Sequence, residues 1–138
     1  RVLFRSETTI LEFNSHEHKA AGLKNSECYS TIQQEIEYLV NHKCDSNYLI
    51  VRTDLFENSN IFNVYRDNNF TAEELIKVFE NSNPLPKDLR HIHVIFLYCP
   101  KSRLSDAKYS IIVSAYKKLI EDRGGMVTIQ ADANEFEM

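Results

Sequence analysis

Residues 91–130 set the pattern for the whole chain. His91-Ile-His-Val-Ile-Phe-Leu-Tyr-Cys99 puts Ile92, Val94, Phe96 and Tyr98 on one side of an extended segment, and Ile95, Leu97 and Cys99 on the other. A strand apolar on both sides belongs in the middle of an α/β sheet with cover on both faces. Ser105 to Arg123 follows with apolar positions at helical spacing: Ile111, Ile112, Ala115, Tyr116, Leu119 and Ile120. Gly124-Gly125 supplies a left-handed helix ending, and Met126-Val-Thr-Ile-Gln130 returns to an extended pattern. Strand, helix and strand in this span make a βαβ unit, whose crossover is nearly always right-handed.

The same reading extends to the rest of the chain. Thr8 to Phe13 alternates as a strand, and the polar run Asn14 to Asn25 reads as a loop. A helix beginning at Ser26 or Glu27 carries Tyr29, Ile32, Ile36, Leu39 and Val40 on one side. Asn47 to Thr53 is a second strand, Asp54 to Asn60 a loop, and Ile61 to Tyr65 a short third strand. Thr71 and Glu74 have the spacing of a capping box, with Phe70 and Leu75 at the positions of a hydrophobic staple. The helix they open ends at Asn81-Ser-Asn-Pro84. The expected fold class is therefore α/β: a mixed, largely parallel sheet with helices packed against it, in the order β-α-β-β-α-β-α-β. The 138 residues fit a single domain, 1–138, and an arginine at position 1 reads as a fragment of a longer chain.

Charge and cysteine content narrow the classes. A formal charge of −4 argues against a broad electrostatic grip on nucleic acid. The three cysteines, Cys28, Cys44 and Cys99, are widely spaced without a C-x-x-C, which suits an intracellular, reducing compartment, cytoplasm or nucleus. No run approaches the roughly 20 apolar residues of a membrane span.

Catalytic patterns are sparse. His16-Glu-His18 and His91-Ile-His93 are the only pairs with metal-like spacing, and surface or strand-edge histidines account for them more simply. Cys99-Pro-Lys-Ser-Arg103 sits where a strand gives way to a helix, the usual place for a ligand in an α/β sheet. Its three-residue spacing lacks glycine, so a phosphate-cradling ring of amides is hard to form. No nucleotide-binding glycine motif occurs, and the chain has only three glycines. No cofactor, metal ligand set or catalytic residue is assigned.

From Ile61 to Gln130 the chain resembles the STAS domain of bacterial anti-sigma-factor antagonists and sulfate-transporter tails. The resemblance rests on Thr71-Ala-Glu-Glu-Leu75 at a helix start, the apolar strand after Arg90-His-Ile, the helix containing Val113-Ser-Ala-Tyr-Lys-Lys118, and Gly124-Gly125 before the last strand. In that family a D-S-x-G turn opens the helix after the central strand and holds a switch serine. Ser105-Asp106-Ala107-Lys108 occupies the matching positions, so the switch serine is replaced by Ala107 and the glycine by Lys108. Ser105 is then either a displaced acceptor or the N-cap of its helix.

Taken together, these features describe a non-enzymatic protein-interaction or regulatory domain. Its expected partner surface is Lys101, Arg103, Ser105, Asp106 and Lys108, facing an acidic region of another protein. The alternatives are a small phosphate-binding enzyme or hydrolase centred on the Cys99–Ser105 loop, and a degenerate scaffold in a nucleic-acid-associated complex.

Overall fold

The protein, described from a computed structural model, is a three-helix, four-stranded α/β domain over residues 6–12, 27–42, 44–67, 69–98 and 102–131. The elements are β1 (Ser6–Glu12), α1 (Cys28–Asn41), β2 (Ser46–Arg52), α2 (Ala72–Ser82), β3 (Ile92–Tyr98), α3 (Arg103–Glu121) and β4 (Met126–Ala131). The strands lie in the order β1-β2-β3-β4, and every pairing is parallel. The α/β class expected from the sequence is the class observed. Residues 13–26 and 132–138, including Phe13, His16 and His18, lie outside the described residues.

The third strand expected at Ile61 to Tyr65 is absent. That segment belongs to a long connection in which only an isolated antiparallel bridge, Asn58 to Asn63, has strand character. Side chains compete there for the backbone: Asn63 Oδ1 accepts from the amides of Tyr65 (2.9 Å) and Arg66 (3.2 Å), folding the chain into a turn. The apolar alternation at 61–65 instead serves to anchor a loop, with Val64 buried in the core. Without that strand, each remaining strand joins its spatial neighbour through one helix-bearing crossover.

This connectivity decides where the helices lie. Such crossovers are right-handed almost without exception, and three of them stepping in the same direction put the three described helices on one face, where Tyr29, Phe79 and Tyr116 meet Phe96 of β3. Burial follows: Leu49, Val51, Ile92, Val94 and Phe96 are buried on that face, whereas Tyr48, Ile50, Arg52, His93, Ile95 and Leu97 on the other are only half-buried. Cover on both faces of β3 was the expectation; His93, Ile95 and Leu97 are half-buried rather than buried. Among the described residues, one face has helices and the other has none.

An aromatic cluster joins the two layers. Tyr29 of α1 stacks on Phe79 of α2, with ring centres 4.2 Å apart. Phe79 meets Tyr116 of α3 at 5.3 Å, and Tyr116 meets Phe96 of β3 at 5.7 Å. Such offset and tilted contacts add to the burial of large apolar rings. The Tyr29 hydroxyl reaches the Asn83 carbonyl at 2.6 Å, and burial raises its pKa to about 12.

The ends of α2 and α3 show why the sequence folds here. Thr71 Oγ1 accepts from the Glu74 amide at 3.2 Å and donates to the Glu74 carboxylate, while Phe70 and Leu75 are both buried. At the other end of the βαβ unit, Gly124 takes φ 88°, and the Gly124 and Gly125 amides close the last turn of α3 on Glu121 and Ile120. Gly125 is needed for space rather than for its torsion. A Cβ there would lie 2.5 Å from Ile120 Cγ2 and 3.1 Å from the Ile120 carbonyl oxygen.

Two stability measurements check these assignments by chemical denaturation. Thr71→Ala should lower unfolding free energy by about 1 kcal/mol through loss of the cap. Gly125→Ala should cost about 1–3 kcal/mol through overpacking against Ile120. An unchanged midpoint for either variant would show that its contact carries no stability.

Candidate functional site

The carboxyl ends of β2 and β3, where α/β sheets place their ligands, are closed in by the long connection that follows β2. Asp54 Oδ1 accepts from the Phe56 amide at 3.0 Å, and Thr53 Oγ1 from the Leu55 amide at 3.2 Å, bending the chain sharply away from the strand. Leu55 sits in the left-handed region, with φ 59°. That conformation costs a residue with a Cβ roughly 1–2 kcal/mol. Leu55 is fully buried, and the burial of its side chain offsets the strain.

Glu57, from the same loop, is only 2% exposed and does the capping that α1 cannot do for itself. Glu27 at the N-cap makes no side-chain cap bond, and the first turn contains no acidic residue. Instead Glu57 Oε1 accepts from the Tyr29 amide at 2.9 Å. A carboxylate against unpaired amides at a helix start is favoured by both hydrogen bonding and the helix dipole. Burial nevertheless pushes its pKa above the usual range, against the pull of the Ser59 hydroxyl and the Tyr29 and Cys28 amides. No local sequence signal links a glutamate to a helix that begins 29 residues before it, so sequence reasoning missed Glu57.

Of the residues expected to form a partner surface, Arg103, Ser105, Asp106 and Lys108 are described. Lys101 and Cys99 lie outside the described residues. Arg103 opens α3 and is exposed, with Leu104 beside it. Ser102, not Ser105, is the N-cap of α3, and its Oγ accepts from the Ser105 amide at 3.2 Å. The sequence pattern starts this helix at Ser105, two residues after its observed start at Arg103. Asp106 accepts a hydrogen bond from the Tyr98 hydroxyl, and the Tyr98 ring stacks on Tyr109 at 3.9 Å. Lys108 is 9% exposed, with its ammonium 3.1 Å from the Val64 carbonyl oxygen. Asp106 and Lys108 thus tie α3 to the strand end and to the long connection. Burial, the hydrogen bond to Asp106 and nearby carboxylates raise the Tyr98 pKa, so its phenol stays protonated at neutral pH.

At the opposite end of the sheet, an open cavity of about 210 Å³ is lined by residues that include Asp45, Tyr48, Arg90, His91, His93 and Met126. Its charges are partly committed. Arg90 forms a two-pronged ion pair with Asp88, 2.7 Å at its shortest, and this guanidinium holds the Asp88 pKa at about 2. His93 Nε2 lies 2.7 Å from Thr128 Oγ1, and its ring packs against Tyr48 at 5.7 Å. His91 is exposed. Among the described residues no three His, Cys, Asp or Glu side chains gather as a metal site.

The remaining surface is the uncovered sheet face, which strand register organises into rows. Ile10, Ile50, Ile95 and Thr128 form the middle row. Thr8, Tyr48, His93 and Met126 lie on the amino-terminal side, and Glu12, Arg52, Leu97 and Gln130 on the carboxyl-terminal side. Ile10 is 64% exposed and Met126 60%. Glu12 and Arg52 pair at 3.1 Å, which leaves the apolar middle row as the dominant feature. Apolar residues at both parities in β3 were a signal for this row, but they read equally well as a strand covered on both sides.

Comparison with protein-family models, curated proteins and solved structures returned no match.

The Glu57 cap gives a pH test. Its folded-state pKa is raised, so the folded chain binds this proton more tightly than the unfolded one. Its contribution to stability is therefore greatest at low pH, and it declines as pH rises from the ordinary carboxyl value near 4.3 through the raised folded value. Glu57→Gln keeps an acceptor for the Tyr29 amide and removes the ionisation. Unfolding free energies measured between pH 4 and 8 should show the native chain losing stability relative to Glu57→Gln as pH rises. A constant difference would refute the shifted carboxyl.

Proposed function

We propose that this chain is a non-enzymatic, STAS-like protein-interaction module whose open sheet face receives an amphipathic helix of another protein. The observation that carries the reading is that, among the described residues, helices cover only one face of an all-parallel sheet. Such sheets are ordinarily buried on both faces by helices, and here the face without a described helix presents the row Ile10, exposed, and Ile50 and Ile95, half-buried. A seven-residue strand runs roughly 23 Å, the length of a helix of about 15 residues. That is close to the 14 residues of α1, which serves the covered face. The resemblance to STAS domains supports the same kind of role, because β3, α3, Gly124-Gly125 and β4 follow one another in the order on which it rests. Regulation by phosphorylation is not part of the proposal, since Ala107 stands where the family has its switch serine.

A photo-reactive cross-linker placed in turn at Ile10, at Ile95 and, as a control, at Lys117 on the helix side tests the reading in cell extract. The two sheet-face positions should capture one and the same protein, which Lys117 does not. Ile10→Lys with Ile95→Lys should reduce that capture at least tenfold while the unfolding transition stays cooperative. Capture that survives these changes but falls with Arg103→Glu would place the partner at the start of α3, as an acidic surface would require.

A further inference from the structure

The sheet has two edges, and they differ in a way that bears on self-association. β1 carries Glu7 and Glu12 near its two ends, and β4 carries no charge, no proline and no glycine: Met126-Val-Thr-Ile-Gln-Ala131. Charges and prolines are how soluble proteins keep edge strands from pairing with other chains. On β4, Met126 is 60% and Ile129 42% exposed, and Gln130 and Ala131 are exposed as well. Among the described residues, β3 alone makes backbone hydrogen bonds with the segment 126–131. Among the described residues, the outward-facing amides and carbonyls of this six-residue strand are therefore left as a pairing template.

We infer that β4 is a self-association edge, where a second copy of this chain adds its own β4 antiparallel about a two-fold axis perpendicular to the sheet. Charge is what singles out a second copy. In a two-fold antiparallel pair the strand meets its own reverse, so ionised residues of one sign are brought near their counterparts. With no ionisable side chain, β4 meets itself without repulsion in every register. Two β1 strands in near-full overlap would instead bring Glu7 of one copy within one residue of Glu12 of the other. A foreign peptide added at a sheet edge draws specificity from pockets beside it, and the cavity described above touches β4 only at Met126.

The geometry of such a pair has a further result. The two-fold axis keeps both helix layers on the same side, so two four-stranded sheets become one of eight strands, within the range of open sheets. The two uncovered faces then run together into one surface. A six-residue edge buries less than the roughly 800 Å² per partner of a standard interface, so the association is weak and reversible.

Sedimentation velocity of the native chain from about 1 to 300 μM should show a reversible monomer–dimer equilibrium. Ile129→Lys and Ile129→Glu, each near the strand centre, should weaken it at least tenfold alone. An equimolar mixture of the two should restore it as a heterodimer. If either variant fails to fold, Met126→Lys with Gln130→Lys, both at exposed sites, replaces them with the same expected loss. A native chain that stays monomeric over the whole range overturns the inference, as does a dimer indifferent to these charges. Partner capture on the open face is read separately, so a monomer that still captures its partner refutes the edge pairing alone.

Discussion

A parallel strand cannot return to its neighbour by a tight turn, so every connection in this sheet must climb over one face and come down again. Handedness fixes which face. Because the strands are laid down in chain order, from one edge to the other, the same choice is made three times and the three described helices accumulate on one side. Doubly wound sheets avoid this by reversing direction partway, which sends later helices to the opposite face. Here there is no reversal and hence no crevice between diverging helices at a switch point. The features usually sought at an α/β ligand site give way to loop anchoring: a buried lysine on a carbonyl, a phenol on a carboxylate and a glutamate on a helix start.

The core is therefore a single layer between sheet and helices, and it is aromatic where the three helices converge. Tyr29, Phe79, Tyr116 and Phe96 each come from a different element, so no helix can shift without disturbing the rings of the others. Close-packed interiors respond to such shifts as to a change of volume. Gly125 follows the same logic at the exit from α3, where the chain must pass against Ile120 and Leu89 with no side chain of its own.

Most of the elements were legible because their signals are local. The capping box at Thr71, the helical spacing of Tyr29, Ile32, Ile36 and Leu39, and the Gly124-Gly125 stop each act within a few residues, and each appears where expected. The segment 61–65 was misread because alternation alone does not distinguish a strand from a loop pinned by one buried valine and one turn-forming asparagine. The candidate surface was harder still. Lys108 reads locally as a surface lysine, yet it is buried with its ammonium on the carbonyl of Val64, 44 residues away. The open face depends on a global count of crossovers, which no window of sequence contains.

Glu57 reaches the amide of Tyr29, 28 residues earlier in the chain, and so joins two segments that are far apart in sequence. Breaking that contact leaves a buried carboxylate and a helix start both unsatisfied, so neither segment opens cheaply without the other. The connection after β2 and the first turn of α1 thus behave as one cooperative unit of local unfolding. Native-state hydrogen exchange should then find one opening free energy shared by their amides, with this end of the molecule held by a loop that has almost no regular secondary structure.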